Sequence, residues 1–150
     1  MHFDSQLQYV MPLIVAALLG TLMGLERSIS GKQAGMRTYA LVSLGSCLFV
    51  IVGVLSSLEM SFFSGLNPLQ IAASVVIGIG FIGSGLASFR GEHAELTTAS
   101  GIWVVAGVGM ACGFGLYSIA LVTTIISIVI FSLFARLEHF LRIRYGKALD

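Results

Sequence analysis

The residues able to do polar chemistry in this chain are few and fall together. Glu26 and Arg27, Lys32, Arg37 and Thr38, then Arg90, Glu92, His93, Glu95, Thr97 and Thr98 come from short segments between long apolar runs. A carboxylate among guanidinium groups forms ion pairs, and the helix N-termini expected at Thr38 and Thr97 can receive a carboxylate or phosphate on their free N–H groups. Glu26 stands out because it ends an apolar run, where the helix dipole disfavours an anion. The expected arrangement is a polar knot: Glu26 held by Arg37, or by the helix N-termini at Thr38 or Thr97, tying the first, second and fourth runs together. The middle of each run holds no Asp, Glu, Asn, Gln, His, Lys or Arg. A hard cation such as magnesium wants oxygen ligands, usually carboxylate and water, so no metal site is expected in the chain, and no cofactor. An ion path would need carbonyls, hydroxyls or an interface between subunits. With no P-loop or phosphorylated-aspartate motif either, the chain is not expected to be an enzyme.

The elements that position these residues follow from composition. Of 150 residues, 57% are apolar and 10% charged, against about a quarter charged in soluble domains, and the mean hydropathy is +0.98. Such a chain must use the lipid bilayer as its solvent. A net charge of +1 excludes nucleic-acid binding. His2 and Asp4 precede the first run in place of a positive n-region, so that run is read as a span and not a signal peptide. The fold class is an all-α membrane protein, a bundle of five transmembrane helices over 9–25, 38–58, 69–89, 97–113 and 116–135. Residues 1–136 form the transmembrane domain and 137–150 a short basic cytoplasmic tail, suited to an amphipathic helix on an anionic membrane surface. Gly113-Phe114-Gly115 must turn the chain between the last two spans, because the combined run is too long for one crossing.

All eight Lys and Arg residues fall on one side: Arg27, Lys32 and Arg37, then Arg90, then Arg136, Arg142, Arg144 and Lys147. The positive-inside rule makes that side cytoplasmic, with the N-terminus outside and the C-terminus inside. Tyr9 and Tyr117 then mark the outer interface, Tyr39 and Trp103 the inner one. Asn67-Pro68 supplies an N-cap and N1 proline for the third span, and Thr97 and Thr98 can cap the fourth.

Spans associate in lipid mainly through close approach at small residues. Ala16, Gly20 and Gly24 form one such row, Gly78, Gly80, Gly83 and Gly85 crowd the third span, and Gly107, Ala111 and Gly115 form a row in the fourth. The third span, with small residues on several faces, is expected at the centre of the bundle. Cys47 lies about 14 Å from the cytoplasmic end of its span and Cys112 about 22 Å. Both are therefore read as packing residues too far apart in depth to bridge. A homo-oligomer, guessed to be a dimer, is expected because five short helices leave unused glycine seams.

Three motifs, in order, carry a resemblance. Gly24-Leu-Glu-Arg27, Gly31-Lys-Gln-Ala-Gly-Met-Arg-Thr38 and Leu41-Val-Ser-Leu-Gly45 resemble the opening signature of the MgtC/SapB family of bacterial inner-membrane proteins. Asn67-Pro-Leu-Gln-Ile-Ala-Ala73 with Gly78-Ile-Gly-Phe-Ile-Gly-Ser-Gly85 is similar to its central segment, and Leu96-Thr-Thr-Ala99, Ile102-Trp103 and Gly107-Val-Gly-Met110 to its fourth span. The resemblance implies about five helices, a bacterial inner-membrane location and a link to growth under magnesium limitation. It also implies a regulator or partner of other membrane machinery, with the F-type ATP synthase a proposed target in one branch. The matching positions are Glu26, Arg27, Gly35, Arg37, Thr38, Arg90, Thr97, Thr98 and Trp103, a functional rim at the cytoplasmic ends. Departures are Ser28, where the family often has a second acid, and Asn67-Pro68-Leu69-Gln70 for the common Asp-Pro-x-Arg. Many members also carry a soluble domain where this chain has only its tail. The expected function is a non-enzymatic membrane module acting by helix contact with itself or a protein partner. The alternative is a small oligomeric ion or solute transporter, possibly for magnesium, lined by Gly, Ser and Thr.

Overall fold

The computed structural model describes residues 8–59, 67–88 and 96–146, and among them every regular element is helical. Five helices are long and apolar enough to cross a membrane. These are α1 (Val10–Ile29), α2 (Met36–Glu59), α3 (Pro68–Ser88), α4 (Leu96–Gly113) and α5 (Tyr117–Tyr145). The apolar runs thus become helices nearly end to end, except that α5 continues past Ala135 through most of the expected tail. Outward-facing Ile77 and Phe81, 76% and 81% exposed, suit a surface solvated by hydrocarbon. The chain is a multi-pass membrane protein. The ends of α1 and α5 and the starts of α2 and α4 share one end of the bundle, here called the basic end.

The helix ends obey local chemistry. Asn67 Oδ1 accepts the Leu69 N–H at 2.9 Å, the expected cap of α3. At the Gly113 hairpin the Leu116 N–H donates to the Ala111 carbonyl (2.8 Å) and the Gly115 N–H to that of Cys112 (3.0 Å). That is a Schellman closure, and Gly115 takes the left-handed conformation it requires, with φ of +76°. The end of α1 repeats it: Lys32 donates to Arg27, Gly31 to Ser28, and Gly31 has φ of +67°.

The expected central helix is corrected. Within the described residues α3 touches only α2 and α4, whereas α4 touches α1, α2, α3 and α5. Buried residues make up 44% of the α4 span and 11% of the α3 span. Small residues on every face of α3 do not make it central, because a seam works only where another backbone meets it. In α3 a Cβ added at Gly78, Gly80 or Gly85 would meet nothing within 4 Å, and at Gly83 only Ala99, 3.7 Å away.

The contact seams lie elsewhere. A Cβ at Gly20 would stand 2.7 Å from the Tyr39 carbonyl oxygen, and one at Gly24 2.6 Å from the Met36 Cα, so this part of the α1 row does abut α2; Ala16 is fully buried. In α4 the row is not Gly107, Ala111 and Gly115. Gly107 has open space beside it, while Gly109 lies against the Ser43 backbone and Gly113 against Val50 and the Cys47 carbonyl oxygen, 2.9 Å from its Cβ position. This pairing also corrects the depth argument for the cysteines. Residues of α4 sit opposite residues of α2 about 66 positions earlier, so α4 starts beyond the beginning of α2 at the basic end, and Cys112 comes level with Cys47. Both cysteines are fully buried and free.

Candidate functional site

The basic end holds the polar side chains, and Arg27 organises them. Eight of the nine residues named from sequence as a rim are described, and they take three separate positions here. Arg27 is buried (3% exposed) in the last turn of α1. Its Nη2 donates to Thr98 Oγ1 on α4 at 3.3 Å, and its Nη1 stands 3.5 Å from Glu26 Oε2. Its guanidinium carbon lies 4.5 Å from the centroid of the Phe131 ring on α5. A planar cation stacked on an aromatic face in a desolvated site is held by about 2 kcal/mol. The knot therefore ties α1 to α4 and α5, with arginine as the inward group and Glu26 as its half-buried counter-ion.

Glu26 is not held by Arg37, which is exposed. Its Oε1 instead accepts from Ser30 Oγ at 2.8 Å within the same helix. Glu26 Oε2 and Arg27 Nε are buried without a hydrogen-bond partner, so their mutual charge is the main compensation for their desolvation. A carboxylate at the negative end of the α1 dipole becomes reasonable once a buried cation sits beside it.

Thr98 is fully packed, and its carbonyl accepts from the buried Tyr39 hydroxyl at 3.4 Å. Tyr39 is thus a core residue of the bundle, not an interfacial anchor. Trp103 is 56% exposed on α4, and Thr97 is exposed at its start.

Gly35, Arg37 and Thr38 form the second position, a polar cleft of about 320 Å³ that they line with Ser28 and Lys32. Ser28 Oγ accepts the Met36 N–H at 3.1 Å, satisfying a free donor at the α2 N-terminus from the end of α1. Gly35 packs directly on that hydroxyl. The departure from the family acid at position 28 has a local use here as a cap from a neighbouring helix. Arg90, with Glu92, His93 and Glu95, lies outside the described residues.

Phe131, Ser28, Gly101 and Gly109 were missed by sequence reasoning. Phe131 lies in a π-helical turn, Ile130–Phe134, where Ser132 Oγ bonds back to the Ile128 carbonyl at 2.8 Å. The widened turn changes the rotation of α5 beyond it, and Phe131 is buried against Gly101, whose missing side chain makes room for both Phe131 and Tyr39. A Ser in an apolar run is the one sequence signal of the turn, and it is weak.

Comparison with known proteins agrees with the motifs. The MgtC family profile matches residues 13–140. The chain is 39% identical over 134 residues to a protein of Escherichia coli strain K12 named "Putative magnesium transporter YhiD", covering 87% of this chain and 62% of that one. It is 37% identical over 137 residues to Protein SrpB of Synechococcus elongatus, covering 85% of this chain and 75% of that one. To Protein MgtC of Salmonella typhimurium strain LT2 it is 40% identical over 119 residues, 79% of this chain and 48% of that one. It thus spans about half to three quarters of the length of these relatives. No solved structure matches it. With the profile spanning all five helices and the relatives near 40% identity, this chain belongs to the MgtC family.

Proposed function

We propose that this chain is a non-enzymatic module of the bacterial inner membrane, a regulator or partner of other membrane machinery under magnesium limitation or related stress. The observation that carries the proposal is the way charge is used. The buried cation Arg27 is consumed in holding α1, α4 and α5 together, and the centre of the bundle is filled by α4, with Gly109 and Gly113 pressed on the α2 backbone. Such a centre is a scaffold, and its accessible polar chemistry lies at the basic end, where Arg37, Thr38 and Lys32 face a cleft and Thr97 and Trp103 face outward. That end is the cytoplasmic one, with the N-terminus outside. The module works as a homo-oligomer, of which a dimer is the simplest, because Gly78, Gly80, Gly85 and Gly107 are open to a neighbouring helix.

The name of YhiD favours a second reading, magnesium transport by an oligomer lined with Gly, Ser and Thr. One pair of experiments separates the two. Purified chain in sealed vesicles is assayed for magnesium flux, and cells are treated with a crosslinker directed at the cleft residues. Tight vesicles with a discrete crosslinked protein support the module. Flux that disappears on changing Gly80 or Gly83 overturns it.

A further inference from the structure

A groove of about 650 Å³ opens between the last turn of α1 and the inner half of α5. Its walls have opposite polarity. The α1 wall carries Glu26 and Ser30 at the negative end of the helix dipole. The α5 wall carries Arg136 and His139, one turn apart on one face and both exposed. Further into the membrane the lining is apolar, with Leu22, Leu25 and Ile128, and it continues the lipid-facing surface on which Leu22 and Leu25 are 48% and 40% exposed. The other main grooves among the described residues lack this combination. The one between α2 and α3 has no charged residue, and the Lys32 and Arg37 cleft has no acid.

We propose that this groove is a binding site for a zwitterionic phospholipid with a primary ammonium headgroup, phosphatidylethanolamine, drawn from the leaflet at the basic end. A ligand matching the groove must place hydrocarbon beside Leu22 and Leu25, and at the level of Glu26 it must carry one charge of each sign. The ammonium meets Glu26, whose Oε1 takes only the Ser30 hydroxyl and can accept a second donor. The phosphate meets Arg136 and His139. A quaternary choline has no N–H to give Glu26, and an anionic glycerol headgroup brings no cation, so the acid wall selects the primary amine. Phe131 joins the groove to the interior, since its ring lies under Arg27 and also lines the groove. An occupied groove therefore stiffens the Arg27 contacts that join α1 to α5. The proposal is independent of whether the chain regulates or transports.

The test uses the purified full chain, delipidated and returned to mixed micelles with equal amounts of phosphatidylethanolamine, phosphatidylcholine and phosphatidylglycerol, with bound lipid counted by native mass spectrometry. A charge-assisted hydrogen bond gained by the primary amine predicts a preference of about tenfold over choline lipid. Glu26→Gln brings that ratio close to one while phospholipid still binds. Arg136→Gln lowers retention of both lipids and leaves their ratio in place, because the phosphate is common to both. Equal retention of the ethanolamine and choline lipids by the unaltered chain, a preference for phosphatidylglycerol, or an unchanged ratio in Glu26→Gln overturns the proposal. Should Glu26→Gln fail to fold, the exposed Arg136→Gln decides together with the unaltered chain's ratio: unchanged phosphatidylethanolamine retention in Arg136→Gln refutes the site, and reduced retention with the ethanolamine preference of the unaltered chain upholds it.

Discussion

Replacing Gly109 and Gly107 separately by alanine tests the packing of α4 on α2 with an internal control. The two glycines lie two residues apart in one helix, so each substitution gains the same helix propensity, about 1 kcal/mol. They differ in what the new methyl meets. At Gly107 there is nothing within 4 Å, whereas at Gly109 it would collide with the Ser43 carbonyl oxygen and stand 2.8 Å from the carbonyl carbon and 2.9 Å from the Cα of Ser43. All three atoms are backbone and cannot rotate away, so α2 and α4 must separate by roughly half an ångström or more to reach ordinary contact. Overpacking of this kind costs about 1–3 kcal/mol. Because the propensity gain cancels between the variants, that whole packing cost is the difference expected between them. It corresponds to about a fivefold to 150-fold shift in the unfolding equilibrium. Reversible unfolding in mixed detergent micelles, followed by far-ultraviolet circular dichroism, reads it directly. Gly107→Ala should match or exceed the parent and Gly109→Ala should fall below it. Equal midpoints, or a Gly107→Ala variant that is the weaker of the two, would refute the placement of α4 against α2.

Arg27→Met should destabilise the bundle by about 3–5 kcal/mol in the same unfolding assay, because it leaves the Glu26 carboxylate half-buried without its cation. Adding Glu26→Gln to it should recover part of the loss, and a purely additive double mutant would mean that the two charges do not compensate each other. Ser28→Ala should cost about 1 kcal/mol, since the Met36 N–H loses its acceptor; amide exchange at Met36 should quicken, and unchanged exchange would show that another group caps α2. The α2–α4 register predicts that a short, membrane-permeant bifunctional thiol reagent links Cys47 to Cys112 within one chain. Failure in detergent-solubilised protein that still reacts at both thiols singly would contradict that register.

What the sequence could and could not disclose divides along one physical line. Helix number and extent depend on local quantities, apolar length and the places where charge, Asn-Pro or glycine interrupts it, and α1 to α4 follow the apolar runs within a few residues. The knot depends on rotation and axial offset, which no single helix encodes. Glu26 and Arg27 are neighbours in sequence, so both were visible as a charged pair, but consecutive helical residues point about 100° apart. Only packing against Thr98 and Phe131 decides that the arginine turns inward and the carboxylate toward the groove. The glycine rows make the same point: Gly107 and Gly109 have the same composition signal, and only the way α4 is turned and offset against α2 selects Gly109. Phe131 adds a further obstacle, since a π-helical turn breaks the 3.6-residue period by which its direction would be read. The residues of this family's charged end can therefore be identified from their type and order. Their partners are set by how far one helix slides past another, and that offset is what the Gly109 and Cys47–Cys112 experiments measure.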